Sequence, residues 1–190
     1  MPKTRELWQG YNEEGEPLTA KGLTMQQCAG GALHGAAHMW VWRMRDEEMQ
    51  LLLQKRADSS KTWPGYLDAA AAGHVDFKET PLQAALRETK EELGIDIDPE
   101  DVELLFVHRQ TLRYEPANVT ENEIQWVYGY DLTGRQHFDL EKSEVKSVGW
   151  VGFKTFEHLI AGKIAGAKLI PHDKAYFTEL AMELKQLQMR

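Results

Sequence analysis

The sequence predicts an α/β layered fold, and three observations carry that reading. Strand-length runs with a two-residue apolar alternation are interleaved with longer segments whose apolar residues recur every three or four positions. At 190 residues the chain lies within the usual span of one domain, and its 42% of hydrophobic residues is enough for one ordinary core. No internal repeat, low-complexity tract or Pro/Gly/Ser-rich linker divides it. Residues 1–190 are therefore expected to form a single domain, with a core over about 31–165, an N-terminal strand or hairpin within 1–30 and a C-terminal helix over 172–190.

Residues 6–11 read as a short strand, followed by the turn formers NEEGEP at 12–17. Residues 18–31 carry no readable pattern. Residues 33–43 and 49–55 flank the polar RDEE and form a hairpin candidate, with His38, Trp40 and Trp42 on one face of the first strand and Met39 and Val41 on the other. Further strands are expected at 66–70, 102–112, 124–131 and 145–151, and helices at 81–93, about 153–162 and about 172–188. The first of these helices has the clearest boundaries. Thr80 offers a capping hydroxyl, Pro81 fits the first helical position, Gln83 completes a capping box, and Gly94 is a C-terminal stop. Leu82, Leu86, Thr89 and Leu93 form its core stripe. In the last helix Tyr176, Leu180, Leu184 and Leu187 share a face that packs on its own domain or on a second subunit, so monomer and homodimer both stay open.

Charge narrows the function. Twenty-two Lys and Arg against 30 Asp and Glu leave a net charge of −8, which argues against a nucleic acid polymer or an anionic membrane as partner. No run of about 18 apolar residues exists to cross a bilayer. A single cysteine, Cys28, excludes an intramolecular disulfide and an all-thiolate zinc site, and the N-terminus lacks the apolar stretch of a secretory signal, so a cytoplasmic location is expected.

Beside the core stripe of the 81–93 helix stand Glu88, Glu91 and Glu92, whose spacing brings three carboxylates to neighbouring positions. Such a face is either a solvated surface relieved by Lys90 or a site for a hard divalent cation, because Mg²⁺ takes oxygen ligands and shares them with substrate phosphates. The context upstream decides between them. Gly73, five residues, Glu79, seven residues and then Arg87-Glu88-Thr89-Lys90-Glu91-Glu92-Leu93-Gly94-Ile95 resembles the Nudix box of hydrolases that cleave a diphosphate linked to another moiety. All seven fixed Gly, Glu and Arg positions are present, a match that average residue usage allows by chance about once in a million chains of this length. Thr89 departs from the bulky aliphatic usual at its position; its methyl can pack and its hydroxyl can bond back to a carbonyl.

The resemblance implies a Nudix fold, a mixed β-sheet sandwiched between α-helices. It also implies a loop–helix–loop in which Glu88, Glu91 and Glu92 hold Mg²⁺ or Mn²⁺ and Arg87 pairs with a neighbouring carboxylate. Glu79 is the natural partner, since a bidentate guanidinium can orient a glutamate. Gly73 is expected to supply backbone freedom at a sharp bend.

Over about 120 residues, from LHGAAHMWVW through LLLQKRADSSKTWPGYLD and AAGHV to ENEIQWVYGY, the chain also resembles isopentenyl diphosphate isomerase and the hydrolases nearest to it. In the isomerase a cysteine immediately before Gly-His supplies a reactive thiol; here the residue before Gly73-His74 is Ala72, which has no proton to give. That resemblance implies a second metal locus at positions matching His34, His74, Glu121 and Glu123, although a further histidine ligand seven residues before His34 is replaced by Gln27. For His34 and His38, imidazoles satisfied by hydrogen bonds within a sheet are the competing reading. Glu121 and Glu123 belong either to one strand face or to a turn of solvated acids, with Glu123 the preferred additional metal ligand or general base. Arg56 and Lys61 match positions that contact a diphosphate and are candidate phosphate ligands. Trp63, with Trp126 and Tyr128, either stacks on a planar group or fills a core. The expected substrate is a small-molecule diphosphate, hydrolysed with Mg²⁺ or Mn²⁺. The rivals are a prenyl diphosphate isomerase, disfavoured by Ala72, and a non-catalytic nucleotide-binding module, disfavoured by the intact box.

Overall fold

The computed structural model describes residues 7–134 and 137–189, so Glu6, the first residue of the expected N-terminal strand, lies outside the described residues. That strand is reduced to β1 (Leu7–Trp8), paired antiparallel with β2 (Leu23–Thr24). Residues 18–31, unreadable from their pattern, contain β2, the short helix α1 (Met25–Ala29) and the start of β3 (Gly30–Arg45). The remaining strands are β4 (Glu48–Arg56), β5 (Leu67–Asp68), β6 (Ala71–His74), β7 (Glu103–Tyr114), β8 (Val119–Asp131) and β9 (Val145–Gly152). Three longer helices follow the expected order: α2 (Pro81–Leu93), α3 (Phe153–Ile160) and α4 (Lys174–Gln188). No helix among the described residues is long and apolar enough to cross a membrane.

Seven strands form one mixed sheet in which only β3 and β8 run parallel. The hairpin of β3 and β4 turns at Asp46 and Glu47, both with positive φ as a two-residue turn requires. Its strands pair only from Val41–Leu52 to Arg45–Glu48 and then part. Into the gap run β5, on β4, and β6, which pairs with β3 from Ala36–His74 to Met39–Ala71. The single strand expected at 66–70 is thus two short ones, because the chain changes partner between Asp68 and Ala71.

The alternation along β3 sends its side chains to two cores. Trp40 and Trp42 pack with Phe156, Tyr176, Leu180 and Leu184, so α4 is buried against its own sheet. Met39 and Val41 pack with Ala84, Ala85, Leu93 and Ile95 below α2. Helices therefore cover both faces of the mixed sheet, as expected.

Helix α2 keeps its predicted ends: Thr80 and Gln83 form the capping box, and Gly94 takes the left-handed conformation at φ 68°. Its buried face differs. Ala84, Ala85, Thr89, Glu92 and Leu93 are inside, while Leu82 and Leu86 are only half-buried. The face turned to the sheet carries alanines and Glu92, the latter held by Gln54 Nε2 and the Ala72 backbone N–H, both at 3.1 Å. Thr89 does bond back, to the Ala85 carbonyl at 2.7 Å. Helices α3 and α4 are shorter than expected, since α3 stops at Ile160 and Asp173 caps α4 by accepting from the Tyr176 N–H. His172 is thereby left outside the helix.

Candidate active site

Where β3 and β4 part, a cleft of about 710 Å³ opens, lined by residues of β3, β6, β8, α2 and the loop after β4. At one side Arg87 organises the acidic residues. Its Nε and Nη2 donate to the two oxygens of Glu79 at 3.0 and 2.9 Å, Nη2 also reaches the His74 carbonyl at 2.9 Å, and Nη1 donates to Glu88 Oε1 at 2.7 Å. Glu79 is held in turn by the Asp76 N–H at 2.9 Å. This is the expected pairing of Arg87 with Glu79, extended to Glu88.

Gly73 serves a different purpose from the expected bend. It lies in β6 with no positive φ, and a methyl group placed on it would fall on the Glu88 carboxylate. The strand must be bare there for Glu88 to pass. Gly94 needs both its backbone freedom and its small size, because a Cβ would stand 2.7 Å from that of Asp139.

The carboxylate oxygens that gather within 4.8 Å of one another belong to Glu88, Glu92 and Glu144. Glu91 lines the cleft with a side chain 61% exposed, 3.5 Å from Arg87, and stays outside that group. Glu144 was not foreseen from sequence. It arrives through tertiary contacts at the end of α2: the N–H groups of Asp139 and Glu141 cap the carbonyls of Leu93 and Glu92 at 3.0 and 3.1 Å, and the Glu144 carbonyl accepts from Ala57 at 2.8 Å. Its one sequence signal is an acid immediately before a strand, which marks nothing by itself. Burial, reinforced by the neighbouring acids, pushes Glu88 up to about 7 despite Arg87, and burial with the Glu88 charge pushes Glu92 well above the carboxylate range.

A second group gathers His34, His74 and Glu123. The parallel register sets His34 opposite Glu123, and Glu121 and Glu123 lie on β8 rather than in a turn. His34 Nδ1 donates to the Ala32 carbonyl at 2.8 Å, so its Nε2 faces Glu123 Oε1 at 3.6 Å. That Nε2 is fully buried and has no hydrogen-bond partner among the described residues. His74 Nε2 is also 3.6 Å from Glu123 Oε1, and its ring is held flat against Trp8 at 3.7 Å between centroids. Burial would lower the pKa of His34, but the closeness of Cys28 and of the Glu123 carboxylate raises it to about 10; burial takes His74 down to about 4. Burial opposes ionisation of Glu123, yet His34, His74 and the Gln125 amide at 2.7 Å hold it as an anion. A proton or a metal ion must separate His34 from Glu123. Gln27 lies outside this group, its side chain capping α1, whereas the next residue, Cys28, is buried beside His34. His38 is bonded outside the sheet, its Nδ1 meeting the Tyr176 hydroxyl of α4 at 2.8 Å.

Arg56, Lys61 and Trp63 all line the cleft. Arg56 is braced by Asp68 at 3.2 Å and the Thr62 carbonyl at 3.3 Å, while Lys61 Nζ reaches Met25 Sδ at 3.3 Å. Trp63 has a φ of 51°, rare for a bulky residue, and its buried Nε1–H has no hydrogen-bond partner among the described residues. Trp126 and Tyr128 are not in the cleft; they pack in the cores.

A model of the NUDIX domain matches residues 34–173, more than half of the chain. The chain belongs to the Nudix family. A Nudix hydrolase of Listeria monocytogenes is 41% identical over 167 residues, covering 88% of this chain and 89% of its own. Nudix hydrolase 3 of Arabidopsis thaliana is 32% identical over 134 residues, 69% of this chain but only 17% of that longer protein. An isopentenyl-diphosphate Delta-isomerase of Salmonella paratyphi B is 31% identical over 123 residues, covering 65% of this chain and 64% of its own. Among solved structures, DR0079 of Deinococcus radiodurans superposes with a TM-score of 0.62 over 95% of this chain and 98% of its own at 20% identity, a likeness of fold. This Nudix protein is a diphosphate hydrolase that also resembles the isomerases.

Proposed function

We propose that this Nudix hydrolase uses Mg²⁺ or Mn²⁺ to cleave the diphosphate bridge of a nucleoside diphosphate joined to another moiety, or of a similar organic diphosphate. The observation that carries this reading is the gathering of Glu88, Glu92 and Glu144 within 4.8 Å. Three carboxylates this close are stable as anions only around a cation, and an all-oxygen donor set suits a hard one. Glu88, Glu92 and Glu144 would hold such an ion, which would supply Lewis acidity toward the diphosphate oxygens. The unpartnered Nε2 of His34 and the anion at Glu123 fit a second cation, with His74 as third ligand.

The chain's own residues account for the rest. Arg87 is a positioning residue that, anchored by Glu79, fixes Glu88 directly. Arg56 and Lys61 draw the phosphates, and Trp63 offers an indole face and a free N–H. Glu123, held as an anion, is a better ligand than base. Glu121, pushed up to about 7 by burial and the Glu123 charge, has the proton affinity a general base needs near neutral pH. Isomerisation is disfavoured because Ala72 brings no proton and its N–H is engaged by Glu92.

A panel of nucleoside diphosphate sugars, nucleoside diphosphates and isopentenyl diphosphate, assayed with and without Mg²⁺ for phosphate products and for double-bond migration, tests this. Metal-dependent hydrolysis without migration supports it; migration without hydrolysis, or turnover indifferent to metal, overturns it.

A further inference from the structure

Another polar constellation in the cleft belongs neither to the Glu88 group nor to the Glu123 group. His38 on β3 and His172 before α4 both line the cleft, their ring centroids 5.2 Å apart. Each ring is fixed through its Nδ1. The Trp40 indole, which can only donate, gives its N–H to Tyr176 Oη at 3.0 Å, so the Tyr176 hydroxyl proton is directed to His38 Nδ1 at 2.8 Å. Gln110 is oriented by the Asp173 backbone N–H, which its Oε1 accepts at 3.1 Å, and so its amide N–H donates to His172 Nδ1 at 2.6 Å. Both imidazoles therefore accept at Nδ1 and carry their proton on Nε2. Burial keeps them neutral, lowering His172 to about 3 and His38 below its ordinary value. Neither Nε2–H meets a protein acceptor among the described residues.

We infer that His38 and His172 form a two-donor subsite for uncharged oxygens, hydroxyl or carbonyl, on the moiety that the diphosphate carries. The inference rests on the diphosphate-hydrolase reading and adds a substrate class to it. Neutral N–H donors match neutral acceptors, whereas phosphate oxygens are better met by the guanidinium of Arg56 and the ammonium of Lys61. A hydrocarbon moiety would leave both donors unpaired as it displaced water from the cleft. Sugar-like or otherwise oxygenated substrates are favoured over prenyl ones.

The test uses the full chain and methylene-bridged analogues of ADP-ribose, UDP-glucose, ADP and UDP, whose bridge resists hydrolysis, in the presence of Mg²⁺. Histidine-ring ¹⁵N–¹H spectra of the free protein at pH 7.5 are expected to show both rings as Nε2–H tautomers. At least one sugar-bearing analogue should shift both Nε2–H signals while its parent nucleotide does not. His38→Phe and His172→Phe should each weaken that analogue about tenfold, the loss of one good hydrogen bond, and the parent nucleotide less than about twofold. An Nδ1–H tautomer or a charged ring, nucleotides that bind without shifting either signal, or equal weakening of both ligand classes overturns the subsite alone. Failure of every analogue to bind overturns the hydrolase reading beneath it.

Discussion

The carboxylate of Glu88 occupies the space where Gly73 would carry a side chain. A strand glycine and a helix acid ten or more residues apart in sequence are thereby one device: the bare backbone of β6 lets α2 pass its acid into the cleft. Gly73→Ala is expected to lower turnover at least about a hundredfold by displacing one anionic ligand, with the fold retained. Steady-state kinetics beside a thermal melt check this, and near-normal turnover in a folded variant would count against it.

Arg87 is the cation that holds Glu79 and Glu88, whose side chains are only 15% and 12% exposed. Arg87→Met removes the cation from both acids and should cost roughly 2–3 kcal/mol, somewhat less than a fully buried pair because Arg87 keeps partial contact with water. Lysine cannot make the two-point contact, so Arg87→Lys should recover only part of the loss. Urea unfolding measures both; an unchanged midpoint in the methionine variant contradicts the clamp.

The buried acids make their own contribution to the pH dependence of stability, and Mg²⁺ isolates it. The Glu88 pKa rises on folding from 4.5 to about 7, and that of Glu92 also rises. In that window Glu88 and Glu92 bind more protons in the folded chain than in the unfolded one, so their contribution to metal-free stability falls as pH climbs from about 4.5 through 7. Mg²⁺ binds the ionised form, and its stabilising effect should therefore be larger at pH 8 than at pH 5. Melting curves with and without Mg²⁺ at the two values decide; equal shifts would show that these acids do not hold the ion.

Glu144 and Glu91 make opposite predictions about which acid completes the group. Glu144 shares the carboxylate cluster, while Glu91 is 61% exposed. Glu144→Gln should reduce turnover at least about tenfold more than Glu91→Gln, if anionic ligands carry the metal-assisted chemistry. The reverse order of the two variants would restore the box acid to the site.

Much of this was legible along the chain. The Thr80 cap, the Gly94 stop and the box spacing placed α2 and its acids, because capping and helical periodicity are local rules. What stayed hidden depends on distant partners. The inward turn of Glu92 is set by Gln54 and Ala72, and the presence of Glu144 by a loop folded over the end of α2. The break between β5 and β6 reflects the parting of the hairpin strands, which alternation cannot show. Residues 18–31 hide a five-residue helix and the start of the longest strand, both too dependent on packing to leave a period.

The account is tested most directly by diffraction from crystals grown with Mn²⁺ and a methylene-bridged nucleotide, recorded at the manganese edge. An anomalous peak among the oxygens of Glu88, Glu92 and Glu144, with the diphosphate reaching it, is the predicted result. Nucleotide bound in the cleft with no manganese among those three acids would contradict it.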